Sequence, residues 1–240
     1  MDERHLEWPG CFNVRDLGGL PAAGGRRTAW GAVVRADSLS RLSEEGWQAL
    51  LDHGVRTVLD LRNEAERDAD PDAAARPAEI ETLHVPLDGA EDRAFWNPVE
   101  RTPEFGTPLY YRAHLMRKPQ LVAGAVAAVA RARPGGVAFH CVGGRDRSGE
   151  LAMVLLALVG VAPETIGADY ELSAVRLAAL FAALGQPDEG AELAAYLLER
   201  GTSATEIIET TLGSLDLQAT LAAGGLTGEE VEALRTRLIA

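Results

Sequence analysis

Apolar positions fall along this chain in short blocks separated by longer, amphipathic stretches. The blocks at 30–35, 55–61, 80–87 and 136–139 are rich in valine and leucine and bounded by Gly, Pro, Asn or Asp. Runs of this length and make-up read as buried strands. Between them lies helical punctuation. The stretch 43–53 opens on Ser43 as an N-cap and closes at Gly54, and 63–67 opens on Asn63 with Glu66 at capping-box spacing. Helices are predicted at 110–116 and at the Ala/Val-rich 120–133, which runs into a Pro134-Gly135-Gly136 turn. Residues 71–77 read as an Ala/Pro connector. Residues 89–108, with Pro98, Pro103 and Pro108, read as a long loop. The almost wholly apolar 150–159 is a buried helix stopped by Gly160 and Pro163. Beyond it, helices are predicted at 164–184 and 188–200, with two more starting at the capping boxes Ser203-x-x-Glu206 and Thr227-x-x-Glu230.

Strands separated by helices predict the α/β class: a central, mostly parallel sheet with helices on both faces. A length of 240 residues fits one domain over 1–240, with an α/β core at 10–162 and a helical part at 163–240. In such a sheet, ligands are expected at the carboxyl ends of the strands.

Composition narrows the partners. The net charge of −13 argues against a nucleic-acid or anionic-membrane surface. Cys11 and Cys141 are the only cysteines, too few for a disulfide framework or a metal set. The longest apolar run, 151–162, is 12 residues, too short to span a bilayer. The start, Met-Asp-Glu-Arg-His, lacks the basic and apolar regions of a signal peptide. A cytoplasmic protein with no stable membrane insertion is therefore expected.

The chemistry concentrates in His140-Cys141-Val142-Gly143-Gly144-Arg145-Asp146-Arg147-Ser148-Gly149. Cys141 follows a predicted strand, and the segment closes into a helix N-terminus. Gly143, Gly144 and Gly149 permit a turn in which successive N–H groups point inward, together with Val142, Arg145 and Asp146, to cradle an anion. The helix N-terminus adds donors and partial positive charge. Arg147 can fork two N–H bonds onto two phosphate oxygens. A free cysteine is only about 3% thiolate at pH 7. A helix terminus contributes at best about 2 kcal/mol to a thiolate. The loop amides, Arg147 and the Ser148 hydroxyl would have to supply the rest. These residues point to a nucleophile at the floor of a phosphate bowl and to hydrolysis of a phosphomonoester, with inorganic phosphate as product and no metal or cofactor.

The string His-Cys-x5-Arg-Ser resembles the signature loop of the protein-tyrosine-phosphatase superfamily. Its fuller form is similar to atypical bacterial tyrosine and lipid phosphatases whose loop reads His-Cys-x-x-Gly-Lys-Asp-Arg-Thr-Gly. Asn13-Val14-Arg15-Asp16-Leu17-Gly18-Gly19 resembles their N-terminal Asn-Phe-Arg-Asp-Leu-Gly-Gly. Further matches are Val34-Arg35-Ala36-Asp37-Ser38-Leu39-Ser40, Val58-Leu59-Asp60-Leu61-Arg62 and Asp169-Tyr170-Glu171-Leu172-Ser173. The chain departs from the pattern in carrying Arg145 for Lys and Ser148 for Thr. The resemblance implies a cysteinyl-phosphate intermediate and a phosphotyrosine protein, a dual-specificity set or a phosphoinositide as substrate. It also implies a lid built from helices after Pro163; ordinary packing on the sheet is the alternative.

The resemblance assigns the general acid to Asp146. Asp88, at the end of a predicted strand, is the rival, and Asp92 is more remote. A second guanidinium at Arg145 suits a second anionic group on the substrate, unless it pairs with a local carboxylate. His140 is expected as a buried ring beneath the loop, Cys11 as a core residue, Arg35 and Arg62 in salt bridges, and 13–19 as a brace for the loop. A rhodanese-like sulfurtransferase or an inactive phosphate-binding module are the alternatives. The x5 spacing and the intact Cys, Arg and Ser weigh against both.

Overall fold

The computed structural model describes residues 3–69 and 76–240. Five strands, β1 (Arg15–Asp16), β2 (Val33–Ala36), β3 (Val55–Asp60), β4 (Glu81–His84) and β5 (Gly136–His140), form one sheet in the order β1-β2-β5-β3-β4. Only the β1–β2 pair is antiparallel. The central β5 is buried throughout, as a strand covered on both faces must be. Its Val137 and Phe139 face one core cluster and Ala138 the other, so the period-two alternation divides the interior into two layers. The register sets Ala36, His140, Asp60 and His84 in one row at the carboxyl edge. Everything that follows each of these strands therefore gathers on one rim.

Among the described residues there are eleven α-helices. They are α1 (Glu44–Asp52), α2 (Glu64–Asp68), α3 (Arg93–Glu100), α4 (Tyr111–Arg117), α5 (Pro119–Arg131), α6 (Asp146–Leu158), α7 (Pro163–Leu184), α8 (Gly190–Glu199), α9 (Ala204–Ser214), α10 (Leu217–Ala223) and α11 (Gly228–Leu238). The caps act as expected: Ser43 accepts from the Gly46 amide, and Asn63/Glu66, Ser203/Glu206 and Thr227/Glu230 form full capping boxes. None of these helices is long and apolar enough to cross a membrane. After Pro163, α9 packs on α7, while α10 and α11 pack on α5 and α6 in the ordinary way. Helix α8 instead leans on the turn at Pro103–Gly106.

Several elements differ from the sequence reading. The strand expected at 30–35 starts at Val33, because Trp30–Gly31 make a turn with Gly31 at φ 69°. The strand expected at 80–87 is cut to four residues before Pro86. Residues 89–108 are not a long loop: Asp92 caps α3, and two 3₁₀ turns follow at Pro103–Gly106 and Pro108–Tyr110. Pro98 forfeits one helical hydrogen bond. The buried face of Phe95, Trp96 and Val99 outweighs that loss, with Trp96 edge-on to Phe95, Tyr110 and Phe105. The helix starting at Ser203 breaks at Leu215, where Asp216 caps a separate α10. The connector expected at 71–77 lies largely outside the described residues.

Candidate active site

Cys141 is the first residue past β5, at 2% exposure. The loop 141–145 follows, and α6 begins at Asp146, four residues earlier than the apolar pattern predicts. Asp146, Arg147 and Ser148 thus occupy the first helical turn, where backbone amides have no helical acceptor.

The carbonyl side of the loop is tied down residue by residue. The Cys141 carbonyl accepts from His140 Nδ1 (3.1 Å), that of Val142 from the Ser38 amide (2.9 Å) and that of Gly143 from Asn13 Nδ2 (3.0 Å). The Gly144 carbonyl accepts from the Arg35 guanidinium (2.9 Å), and the Asp146 carbonyl from the Tyr111 hydroxyl (2.7 Å). Carbonyls held outward leave the amides facing the concave side, and the Gly144 amide donates to Cys141 Sγ at 3.2 Å. Ser148 Oγ stands 3.6 Å from the same sulfur. Gly144 is required twice over. Its φ is +69°, and a Cβ there would lie 2.7 Å from the Ala36 carbonyl.

Beneath this loop lies a buried charge cluster. Asp169 of α7 accepts from Arg4 (2.6 Å), Arg15 (3.0 Å) and Arg35 (2.8 Å). Arg15 also donates to Asn13 Oδ1 and to Ser173 Oγ. Burial alone would raise the Asp169 carboxyl. The guanidinia of Arg15, Arg35 and Arg4 overcome this and hold it well below the usual carboxylate range. The segment 13–19 therefore braces the loop through Asn13 and Arg15, and Arg35 serves the same cluster. Arg62 pairs with Asp60 at 2.8 Å. His140 is fully buried, and desolvation lowers its pKa to about 4, so the ring is neutral. Cys11 donates to the Ser38 carbonyl at 3.3 Å, and burial pushes its thiol up. Both fit the structural roles expected of them.

On the concave side Arg147 is 8% exposed and lies within electrostatic range of Cys141. Its guanidinium is occupied by two carboxylates: Nη2 donates to Glu66 (2.8 Å) and Nη1 to Asp88 (3.0 Å). Burial and the nearby Glu66 charge raise the Asp88 carboxyl to about 6, against the pull of Arg147. The indole of Trp96 fixes Asp88 by donating to its carbonyl at 3.0 Å. Asp146 takes the Arg145 Nε–H at 3.2 Å, and Arg145 Nη2 stands 4.0 Å from Glu189, so Arg145 pairs with local carboxylates. Asp92 is apart from this group, bound to Arg117 at 2.6 Å.

Glu66 is the residue that sequence reasoning missed. It reads as half of a capping box, and its Oε2 does accept from the Asn63 amide. Its second role follows only from strand order, since β3 lies beside β5 and the segments leaving both meet on one rim.

The chain is 33% identical over 175 residues to a Cupriavidus necator protein whose name provisionally assigns it to the tyrosine-protein phosphatases. It is 31% identical over 163 residues to a Nostoc commune protein named tyrosine-protein phosphatase. These matches cover 70% and 68% of this chain, but only 62% and 53% of the relatives' own lengths. The profile of the tyrosine phosphatase family matches residues 6–240, which takes in the brace, the Cys141 loop and the helices behind it. The chain belongs to the tyrosine phosphatase family.

Proposed function

We propose that the protein hydrolyses phosphomonoesters through a cysteinyl-phosphate intermediate. The observation that carries this reading is the Cys141 loop itself, its carbonyls tied outward, its Gly144 amide donating to Cys141 Sγ at 3.2 Å and Arg147 within electrostatic range of the sulfur. Cys141 attacks phosphorus: the S–P bond forms, the ester P–O bond breaks, and the leaving oxygen takes a proton from Asp146. Water then attacks phosphorus and gives a proton to Asp146, the S–P bond breaks, and inorganic phosphate leaves. The amides of 142–147 and the fork of Arg147 hold the equatorial oxygens throughout, and Ser148 offers its hydroxyl to the sulfur when it departs as thiolate. A reducing cytoplasm suits a free thiol with this task.

Protein phosphotyrosine is the first substrate class, in keeping with the names of the relatives. Phosphoserine or phosphothreonine and phosphoinositides require the same chemistry. Phosphate release measured in parallel on a phosphotyrosyl peptide, a phosphoseryl peptide and a phosphoinositide is expected to be fastest on the first. Activity should survive a chelator. Absence of release from all three would defeat the reading.

A second reading for the proton donor rests on Asp88, whose carboxyl is held near 6 by burial. An acid with that pKa is still partly protonated near neutrality. With Asp146 as donor, Asp146→Asn loses about 10²–10⁴-fold on phenyl phosphate and far less on a substrate with a good leaving group. If Asp88 is the donor, Asp88→Asn shows that pattern instead. The wild-type rate would then fall as pH rises through about 6, and that limb would vanish in Asp88→Asn.

A further inference from the structure

A cavity of about 500 Å³ opens beside the Cys141 loop, between α7, α8 and the turn at Pro103–Gly106. Its walls are Pro108, Tyr170, Ala174, Leu193 and Leu197, and one side is Arg145. Small residues keep it open. At Gly106 a Cβ would meet the Leu193 methyls at 2.8 Å and Arg145 Nη2 at 2.9 Å. A benzene-sized group needs only about 150 Å³. The space therefore exceeds what a single ring fills, and it falls within the roughly 300–1,000 Å³ range of ligand sites.

The cavity is within reach of the phosphate bowl. Arg145 precedes Arg147 by two residues, so their Cα atoms are at most about 7.6 Å apart. The Arg145 head is engaged with Asp146 and faces Glu189, which leaves its stem as an apolar wall. A peptide would bring an N–H and a C=O with each residue, and these apolar walls answer few of them.

We propose that this cavity is a leaving-group subsite. It takes the hydrocarbon body, larger than one phenyl ring, of a small amphiphilic phosphomonoester whose phosphate sits in the bowl. This rests on the phosphatase chemistry proposed above and adds, beside protein phosphotyrosine, a further substrate class for the same bowl.

The test compares kcat/KM for phenyl, 4-ethylphenyl, 4-butylphenyl and 4-hexylphenyl phosphate below their aggregation concentrations. Efficiency is expected to rise at least about tenfold along the series as successive methylenes are buried, and to level off when the cavity is full. Ala174 of α7 and Ala194 of α8 both line the cavity, so Ala174→Trp and Ala194→Trp fill it and should bring the hexyl-to-phenyl ratio close to one. Binding of the matching non-hydrolysable phosphonates, measured by calorimetry, should follow the same order. A flat series overturns the proposal and leaves the phosphatase reading intact, and so does a ratio that neither filler changes. A gain for a phosphotyrosyl peptide with flanking Leu and none for the hexyl compound overturns the substrate class. If no ester is hydrolysed while phosphonate binding still rises along the series and the fillers abolish the rise, the subsite stands and the phosphatase reading falls.

Discussion

Cys141→Ser is expected to lower turnover of phenyl phosphate at least about 10⁴-fold, while affinity for inorganic phosphate changes by less than about threefold. The asymmetry follows from the construction of the loop. The carbonyls of 141–144 are bonded to His140, Ser38, Asn13 and Arg35, none of which touches the sulfur through these bonds. A hydroxyl in place of the thiol leaves those anchors, and with them the inward amides, as they are. What disappears is the nucleophile, because a serine hydroxyl without an adjacent base is a poor one. Phosphate release and phosphate binding on the same sample check both halves. A quenched reaction of the wild type should also carry one phosphoryl group on the Cys141 peptide by mass, and the variant none. Substantial turnover by Cys141→Ser would remove Cys141 from the mechanism.

Asp169→Asn should destabilise the fold by about 3–5 kcal/mol, the usual cost of breaking a buried ion pair from one side. Asp169 is 1% exposed and serves Arg4, Arg15 and Arg35, so the neutral amide leaves three guanidinia facing one another in the interior. The pH dependence has a definite sign. A carboxyl held below its unfolded value contributes stability at pH above that value, about 3.9, and loses it as pH falls. The gap between wild type and variant should therefore narrow in urea titrations below about pH 4. Phosphate affinity should fall as well, because Arg35 links Asp169 to the Gly144 carbonyl. A variant within about 1 kcal/mol of wild type, with an unchanged loop, would show that the cluster braces nothing.

Local chemistry made much of this legible. Ser43, Asn63, Ser203 and Thr227 cap helices where their side chains say they should, because capping is settled within four residues. The Cys141 loop was readable for the same reason: its glycines, its arginine and the following helix are contiguous. What failed was long-range. Proline-based reading missed α3, because the packing of Trp96 against Phe105 and Tyr110 lies across the chain and not along it. Glu66 was hidden because its partner Arg147 is 81 residues away. Arg145 was open from sequence, and only the placement of α8 brings Glu189 toward it.

The pair of carboxylates on Arg147 has a consequence for how the site empties. Any dianion that takes both arms of the guanidinium must first evict Glu66 and Asp88, which are already docked there. They are tethered competitors, held next to the guanidinium whatever the concentration of free anion. Part of each ligand's intrinsic affinity is spent on that exchange, so the site holds free orthophosphate more loosely than a bare arginine bowl would. When the product detaches, the guanidinium does not return to an unpaired state, because the two side chains close over it again. In the proposed reaction substrate and orthophosphate meet the same two competitors, so the carboxylates raise KM and the inhibition constant of phosphate together.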